Sequence, residues 1–181
     1  MSKDFSANGL RLGTLITRNK ALYSALGTIS PCAWPSAPAD QIWSSMLEDR
    51  PWLNHYFSQS HHRLSEAYTV LTTILDQHGI KYVKGGNAGF FLWCDFTFAL
   101  TGDEKELSTL QGRRSADRKL NRRMMDGGVY LANSTAFHSE IPGWYRITFS
   151  HSTEVLTLGL KRLVLLSYIH HTFFWIFEER C

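Results

Sequence analysis

One long apolar repeat in the middle of the chain constrains the fold more than any other feature. From Pro51 to about His78, large apolar side chains recur at spacings of three, four and seven residues, which is the period of a helix with one apolar face. Gly79 follows and can end the helix. The pattern predicts a helix of roughly 27 residues, longer than the usual mean of about 11–12. A helix of that length often bridges two domains.

Shorter elements flank this helix on both sides. Before it, the sequence predicts a strand over Leu10–Thr17, a helix over Asn19–Leu26, a proline-rich loop over Ser30–Asp40, and a short helix capped by Asp40 and ending near Glu48. After it, the sequence predicts a strand-like segment over Lys81–Phe98, with Phe90–Trp93 buried on both faces, a helix over Asp103–Met125, strands over Val129–Ala132 and Trp144–Phe149, and a helix from Glu154 onward. This order predicts a mixed α/β chain without the regular alternation of a doubly wound sheet.

Composition excludes several classes of protein. Hydrophobic residues make up 44% of the 181 residues and charged residues 19%, so we expect a sizeable core rather than a disordered chain. The net charge of +3 is too small to indicate a nucleic acid or a membrane as a partner. Three widely spaced cysteines, with no C-x-x-C pair, favour reduced thiols and the cytoplasm.

The chain also lacks the usual signals for export, membrane insertion and metal binding. Its first residues form no apolar secretory signal. The most apolar window, Leu163–Phe177, is shorter than the ~20 residues that cross a bilayer, so we expect a buried terminal helix. The pairs His61–His62 and His170–His171 are adjacent rather than four residues apart, so we predict no metal site.

A lysine and an arginine near the N-terminus have a spacing that suits a phosphate-bearing aldehyde. Lys3 precedes Arg11 by eight residues, and glycines stand at positions 9 and 13. A lysine amine can form a Schiff base with an aldehyde, and a guanidinium can hold a phosphate with two parallel hydrogen bonds. The pair could therefore hold pyridoxal phosphate at two points. By itself, however, the local pattern favours a frayed terminal lysine and a surface arginine.

A second candidate lies on the strand predicted at Trp144–Phe149. Alternation places Arg146 on the same face as Trp144 and Thr148. An arginine held rigidly between an aromatic ring and a hydroxyl group is a good receptor for a carboxylate. In isolation the pattern favours a surface arginine in a salt bridge or a cation–π contact. The glycine-rich segment Lys84–Trp93 is interpreted as the entry to a core strand.

Three motifs in order give the chain its resemblance to a known family. They are S-K-D-F-x-x-x-G-L-R-L-G, N-A-G-F-F-L-W and G-V-Y-L-A-N-S-T-A-F-H-S-E-I-P-G-W-Y-R-I-T-F. Together they resemble the C-terminal part of a class I/II aminotransferase of fold type I, and in particular the 1-aminocyclopropane-1-carboxylate synthase-like branch. The resemblance implies that pyridoxal 5'-phosphate is the cofactor and that Lys3 is the Schiff-base lysine. It also implies that Arg11 binds the cofactor phosphate and that Arg146 binds the substrate α-carboxylate.

The resemblance implies a division of the chain into parts of a larger enzyme. We expect residues 1–50 to be a remnant of the large cofactor-binding domain, 51–79 the interdomain helix, 80–165 a small α+β domain, and 166–181 an atypical apolar tail. A family member carries more than half of its length before the lysine, so we expect a truncated form. The resemblance also implies an active site at a dimer interface, so we expect a homodimer for the full-length form.

Three functions stay open at this point. The first is an aminotransferase of amino-acid or secondary-metabolite biosynthesis, in which Lys3 takes a proton from the substrate Cα. The second is a lyase of the 1-aminocyclopropane-1-carboxylate synthase type on the same scaffold. The third is a catalytically inactive small-domain fragment, because the missing part would carry most of the cofactor site.

Overall fold

The computed structural model describes residues 2–168, which divide into two compact units between Ser60 and His61. The boundary falls within the long helix α3, Arg50–Gln77. This helix matches the prediction for Pro51–His78 closely. Its end also matches, because Gly79 takes a positive φ of 63° and the Ile80 N–H donates to the Leu75 carbonyl at 2.9 Å.

The first unit contains two further helices and the start of α3. Helix α1 spans Lys20–Ile29, and the Asn19 side chain caps it by accepting from the Leu22 N–H at 3.1 Å. Helix α2 spans Ala37–Glu48. Short 3₁₀ turns cover Asn8–Leu10 and Ser30–Cys32.

Two predictions for this unit were wrong. The segment Leu10–Thr17 forms no strand, because no other part of residues 2–60 is a strand that could pair with it. Helix α2 begins earlier than predicted, with Ser36 rather than Asp40 at the N-cap position. Pro38 lies in its first turn, where a missing N–H costs no hydrogen bond.

The second unit is built on a three-stranded antiparallel sheet. Strands β1 (Phe91–Asp95), β2 (Ala132–Asn133) and β3 (Trp144–Thr148) are arranged in the order β1-β3-β2. Helices α4 (Glu104–Ser108), α5 (Leu110–Asp126) and α6 (Thr153–Tyr168) belong to the same unit. The central strand is β3, which pairs with both neighbours and is therefore the most constrained strand of the sheet.

One face of this sheet carries the core. Leu92 and Cys94 of β1 and Tyr145 and Ile147 of β3 are buried, and each alternates with half-buried neighbours. The core is completed by residues from the second half of α3, from α5 and from α6: Leu71, Leu75, Leu120, Met124, Leu156, Leu160 and Leu163.

Several predictions for the second unit need correction. The segment Phe90–Trp93 is buried on one face only, because β1 lies in an antiparallel sheet with helices on one side. The helix predicted over Asp103–Met125 is split at Thr109, whose backbone is extended and whose side chain caps α5. The strand predicted at Val129–Ala132 is displaced to Ala132–Asn133. The expectations for His170–His171 and for the end of the apolar tail lie outside the described residues.

Candidate functional site

The side chain of Arg146 lies between two aromatic rings. Its guanidinium carbon is 4.1 Å from the centre of the Phe91 ring and 4.5 Å from that of Phe137. Such contacts are attractive because the ring faces carry partial negative charge. The Nε atom of Arg146 is buried and meets no hydrogen-bond acceptor among residues 2–168. The guanidinium is thus held in one plane while part of its donor capacity is unused.

The strand pairing explains why these groups meet. Arg146 is opposite Trp93 on one side and Ala132 on the other, and alternation puts it on the face away from the core. Trp93 lies edge-on to Phe137 at 5.5 Å and stacks on Trp144 at 6.2 Å. This face of the sheet is therefore an aromatic surface around a single guanidinium, a setting that suits a carboxylate with an apolar neighbour.

A buried carboxylate fixes the strand that carries Arg146. Asp117 of α5 is 1% exposed and accepts hydrogen bonds from the Tyr145 hydroxyl at 2.8 Å, the Gly143 N–H at 3.1 Å and the Asn133 side-chain amide at 3.2 Å. Burial raises the pKa of Asp117, and these hydrogen bonds oppose the rise. The pKa of Tyr145 is raised by burial and by the nearby carboxylate.

Gly143 is required at this junction. Its φ is +91°, and a Cβ atom there would lie 2.9 Å from Cγ2 of Thr97. Only glycine satisfies both conditions at low cost. Asp117 and Gly143 together set where β3 begins, two residues before Arg146.

Lys3 lies in an exposed turn at the start of the first unit. The carbonyl of the next residue, Asp4, accepts a hydrogen bond from the Tyr56 hydroxyl of α3 at 2.9 Å. The residue that follows Lys3 is therefore hydrogen-bonded to α3.

Arg11 is also exposed, and it follows the 3₁₀ turn at Asn8–Leu10. Its Nη1 donates to the carbonyl of Asn8 at 3.2 Å, which orients the guanidinium and leaves its remaining N–H groups for an anion. Lys3 and Arg11 belong to the first unit and Arg146 to the second.

Backbone strain is located beside these candidate residues. Within residues 2–168, the non-glycine residues with positive φ are Ser6, Arg11 and His138, at 52–55°. Arg11 is itself a candidate, Ser6 follows Lys3 by three positions, and His138 follows the Phe137 that packs on Arg146. Left-handed backbone costs an ordinary residue about 1–2 kcal/mol and is concentrated at functional sites.

Sequence reasoning missed Asp117 and Phe137. Asp117 is the single acid within the strongly basic stretch 111–123, and that isolation was the available signal. Nothing in the local pattern around Phe137 indicates that its ring contacts Arg146.

Other kinds of site are not found in the described part of the chain. Residues 2–168 contain no group of three potential metal ligands. No helix in the same range is long and apolar enough to cross a membrane.

Comparisons with known proteins show the family to which the chain is similar. A family model described as aminotransferase class I and II matches residues 1–163. The 1-aminocyclopropane-1-carboxylate synthase-like protein 1 of Homo sapiens is 34% identical over 163 residues, which cover 90% of this chain and 30% of that protein. The 1-aminocyclopropane-1-carboxylate synthase 4 of Oryza sativa subsp. japonica is 27% identical over 164 residues, which cover 90% of this chain and 32% of that protein.

A solved structure shows the same fold. A tetra mutant of Thermus thermophilus aspartate aminotransferase superposes with a TM-score of 0.71 at 20% sequence identity, covering 90% of this chain and 40% of that one. The chain therefore spans about a third of the length of the curated relatives named above.

Proposed function

Because the chain belongs to the aminotransferase class I and II family, we propose that it is the C-terminal part of a pyridoxal-phosphate-dependent aminotransferase acting on an amino acid. Its mixed α/β fold is that of part of a fold type I aminotransferase. The proposed setting is amino-acid or secondary-metabolite biosynthesis. The residues proposed to act are Lys3, Arg11 and Arg146. We also propose that the protein is located in the cytoplasm and that its full-length form is a homodimer.

The observation that carries the proposal is the setting of Arg146. Its guanidinium lies between Phe91 and Phe137 on the central strand, with a buried Nε that lacks an acceptor within residues 2–168. A carboxylate can accept two parallel hydrogen bonds from such a planar donor. The aromatic rings restrict the guanidinium before the ligand arrives, which lowers the entropy cost of binding.

The chain's own residues fit part of what the cofactor requires. Lys3 and Arg11 are both exposed residues of one unit, with an amine and a guanidinium as their functional groups. Arg11 keeps its left-handed backbone at an energetic cost, which supports a role for its exact position. We assign the amine of Lys3 to the cofactor aldehyde and the guanidinium of Arg11 to the cofactor phosphate.

The roles of these residues in a reaction follow from their chemistry. Arg146 would bind and orient the substrate carboxylate. The Nζ atom of Lys3 would accept the proton from the substrate Cα and return it, as a general base and then an acid. Pyridoxal phosphate, when bound, supplies an electron sink at the reacting carbon.

A titration of Arg146 tests the proposal. L-Alanine added to the ¹⁵N-labelled chain should shift the Arg146 Nε–H resonance to saturation, while ethylamine, which has no carboxylate, should not. Arg146→Gln, followed by the backbone amide resonance of Ile147 because the guanidinium is gone, should weaken binding at least about tenfold, since hydrogen bonds to charged groups contribute roughly 1.5–3 kcal/mol. Arg113→Gln, at an exposed arginine of the same unit, is the matched control. Equal shifts at both arginines would contradict the proposal.

The rice relative favours a second candidate function. It is named as a 1-aminocyclopropane-1-carboxylate synthase, which supports lyase chemistry on the same scaffold. Product analysis of the longest native form distinguishes the two. A keto-acid-dependent transfer of the amino group indicates an aminotransferase, and elimination from an S-adenosyl amino acid indicates a lyase. If neither product formed, the result would favour the catalytically inactive fragment.

A further inference from the structure

The residue two positions after Lys3 is surrounded by aromatic rings. The Phe5 ring contacts the buried Trp43 of α2 edge-on at 4.9 Å and stacks on Tyr56 of α3 at 5.1 Å and 9°. It also contacts Phe57 at 5.2 Å and Trp52 at 6.4 Å. We call Phe5, Trp43, Trp52, Tyr56 and Phe57 the aromatic anchor. The anchor attaches the start of the chain to two helices.

A hydrogen bond from the same anchor holds the residue next to Lys3. The Tyr56 hydroxyl donates to the Asp4 carbonyl at 2.9 Å, across 52 positions in sequence. Ser6 then turns the chain through a left-handed conformation, with φ at 52°. The backbone after Lys3 is therefore fixed at three consecutive residues, by a hydrogen bond, a ring and a turn.

Ordinary core packing does not explain this arrangement fully. The first unit buries few apolar residues, among them Ala39, Trp43 and Leu53, and terminal segments of a chain usually fray unless they are tied down. Phe5 itself is only half-buried, and Trp52 stays 37% exposed. Stacking Phe5 on Tyr56 adds modestly to a core, but it removes much of the freedom of the segment that carries Lys3.

We propose that Phe5 and Tyr56 are positioning residues that hold Lys3 where its amine meets the aldehyde of a phosphate-bearing ligand bound at Arg11. This inference rests on the proposed function of Lys3 and Arg11. A lysine side chain has four rotatable bonds, so fixing its backbone is the part of its placement that the fold can supply. Correct placement of a reactive group accelerates its reaction.

Two measurements on the full chain test the proposal. The first is the backbone order parameter of Lys3 and Asp4 by NMR relaxation. The wild type should be near the rigid value of about 0.85, and Tyr56→Phe should bring it toward the flexible range below about 0.6. The second is the rate at which Lys3 is trapped by pyridoxal phosphate and borohydride, relative to the rate with pyridoxal, which has no phosphate.

The second measurement separates positioning from stability. In the wild type, Lys3 should react faster with the phosphorylated aldehyde, and Tyr56→Phe should lower that preference about fivefold, which is the effect of one neutral hydrogen bond. Phe5→Leu, which keeps an apolar side chain but removes the stacking, should act in the same direction. Tyr23→Phe, at a tyrosine of α1 that is 74% exposed, is the matched control and should change neither measurement.

Each outcome decides a different point. A lower order parameter with an unchanged phosphate preference would overturn the positioning role and leave the anchor a structural feature. An unchanged order parameter in both variants would show that the aromatic anchor does not hold the backbone at Lys3 and Asp4. A wild-type chain that shows no phosphate preference at Lys3 would overturn the proposed function of Lys3 and Arg11, and with it the role of the anchor.

Discussion

At the scale of single residues, the local sequence predicts the orientation of Arg146 but not the side chains that it contacts. Alternation along Trp144–Phe149 predicts the face on which Arg146 lies, and the buried Tyr145 and Ile147 confirm it. The rings that hold the guanidinium come from other segments, at Phe91 and Phe137. Contacts of this kind depend on strand register and on the path of a loop, so local patterns cannot predict them.

Cys94 allows a prediction at the same scale. Burial raises the pKa of its thiol, and the thiolate is the reactive form. Iodoacetamide should therefore modify the exposed Cys32 at least about tenfold faster than Cys94 in the native chain, as measured by peptide mass spectrometry. In denaturant the two rates should become similar. Rapid modification of Cys94 in the native chain would contradict the packing of β1.

At the scale of elements, the sequence predicts regular periods well and junctions poorly. The long apolar repeat predicts α3 to within one residue at each end, because every turn of that helix repeats the same signal. The break at Thr109 depends on a single capping interaction within an otherwise helical stretch, so no repeated signal marks it. The strand predicted at Leu10–Thr17 fails for another reason, since a strand requires a partner that residues 2–60 do not supply.

The link between α5 and β3 predicts a pH dependence of stability. The pKa of Asp117 is raised in the folded state, so the folded chain binds this proton more tightly than the unfolded chain. Asp117 therefore favours folding most at low pH, and this contribution is lost as the pH rises through the folded-state pKa. The free energy of unfolding of the wild type, measured relative to that of Asp117→Asn, should fall as the pH rises from the ordinary pKa of an aspartate carboxyl through the raised folded-state pKa.

Tyr145→Phe provides the complementary variant. Its lost hydroxyl is one of the donors that lower the pKa of Asp117, so the fall in stability with pH should become larger. The variant should also lose about 1–3 kcal/mol of unfolding free energy at neutral pH, because a buried carboxylate loses a donor. A pH profile identical to that of the wild type would show that this hydrogen bond does not affect the titration.

At the scale of the whole molecule, the order of three motifs predicts the family, and the family model that matches residues 1–163 confirms it. The domain assignment and the roles of Lys3, Arg11 and Arg146 stay predictions. Lys3 and Arg11 lie in one unit and Arg146 in the other. Local periodicity could predict none of these roles, because a role depends on the ligand that a side chain binds.

The central claim is that Lys3 is the lysine that carries the cofactor. The most direct measurement treats the chain with pyridoxal 5'-phosphate, reduces the adduct with borohydride and locates the added mass by peptide mapping. The account predicts that Lys3 carries most of the label and that Lys3→Arg abolishes it, while Lys20→Arg, at an exposed lysine of the same unit, leaves the label at Lys3 unchanged. A label spread over the exposed lysines without preference for Lys3 would contradict the account.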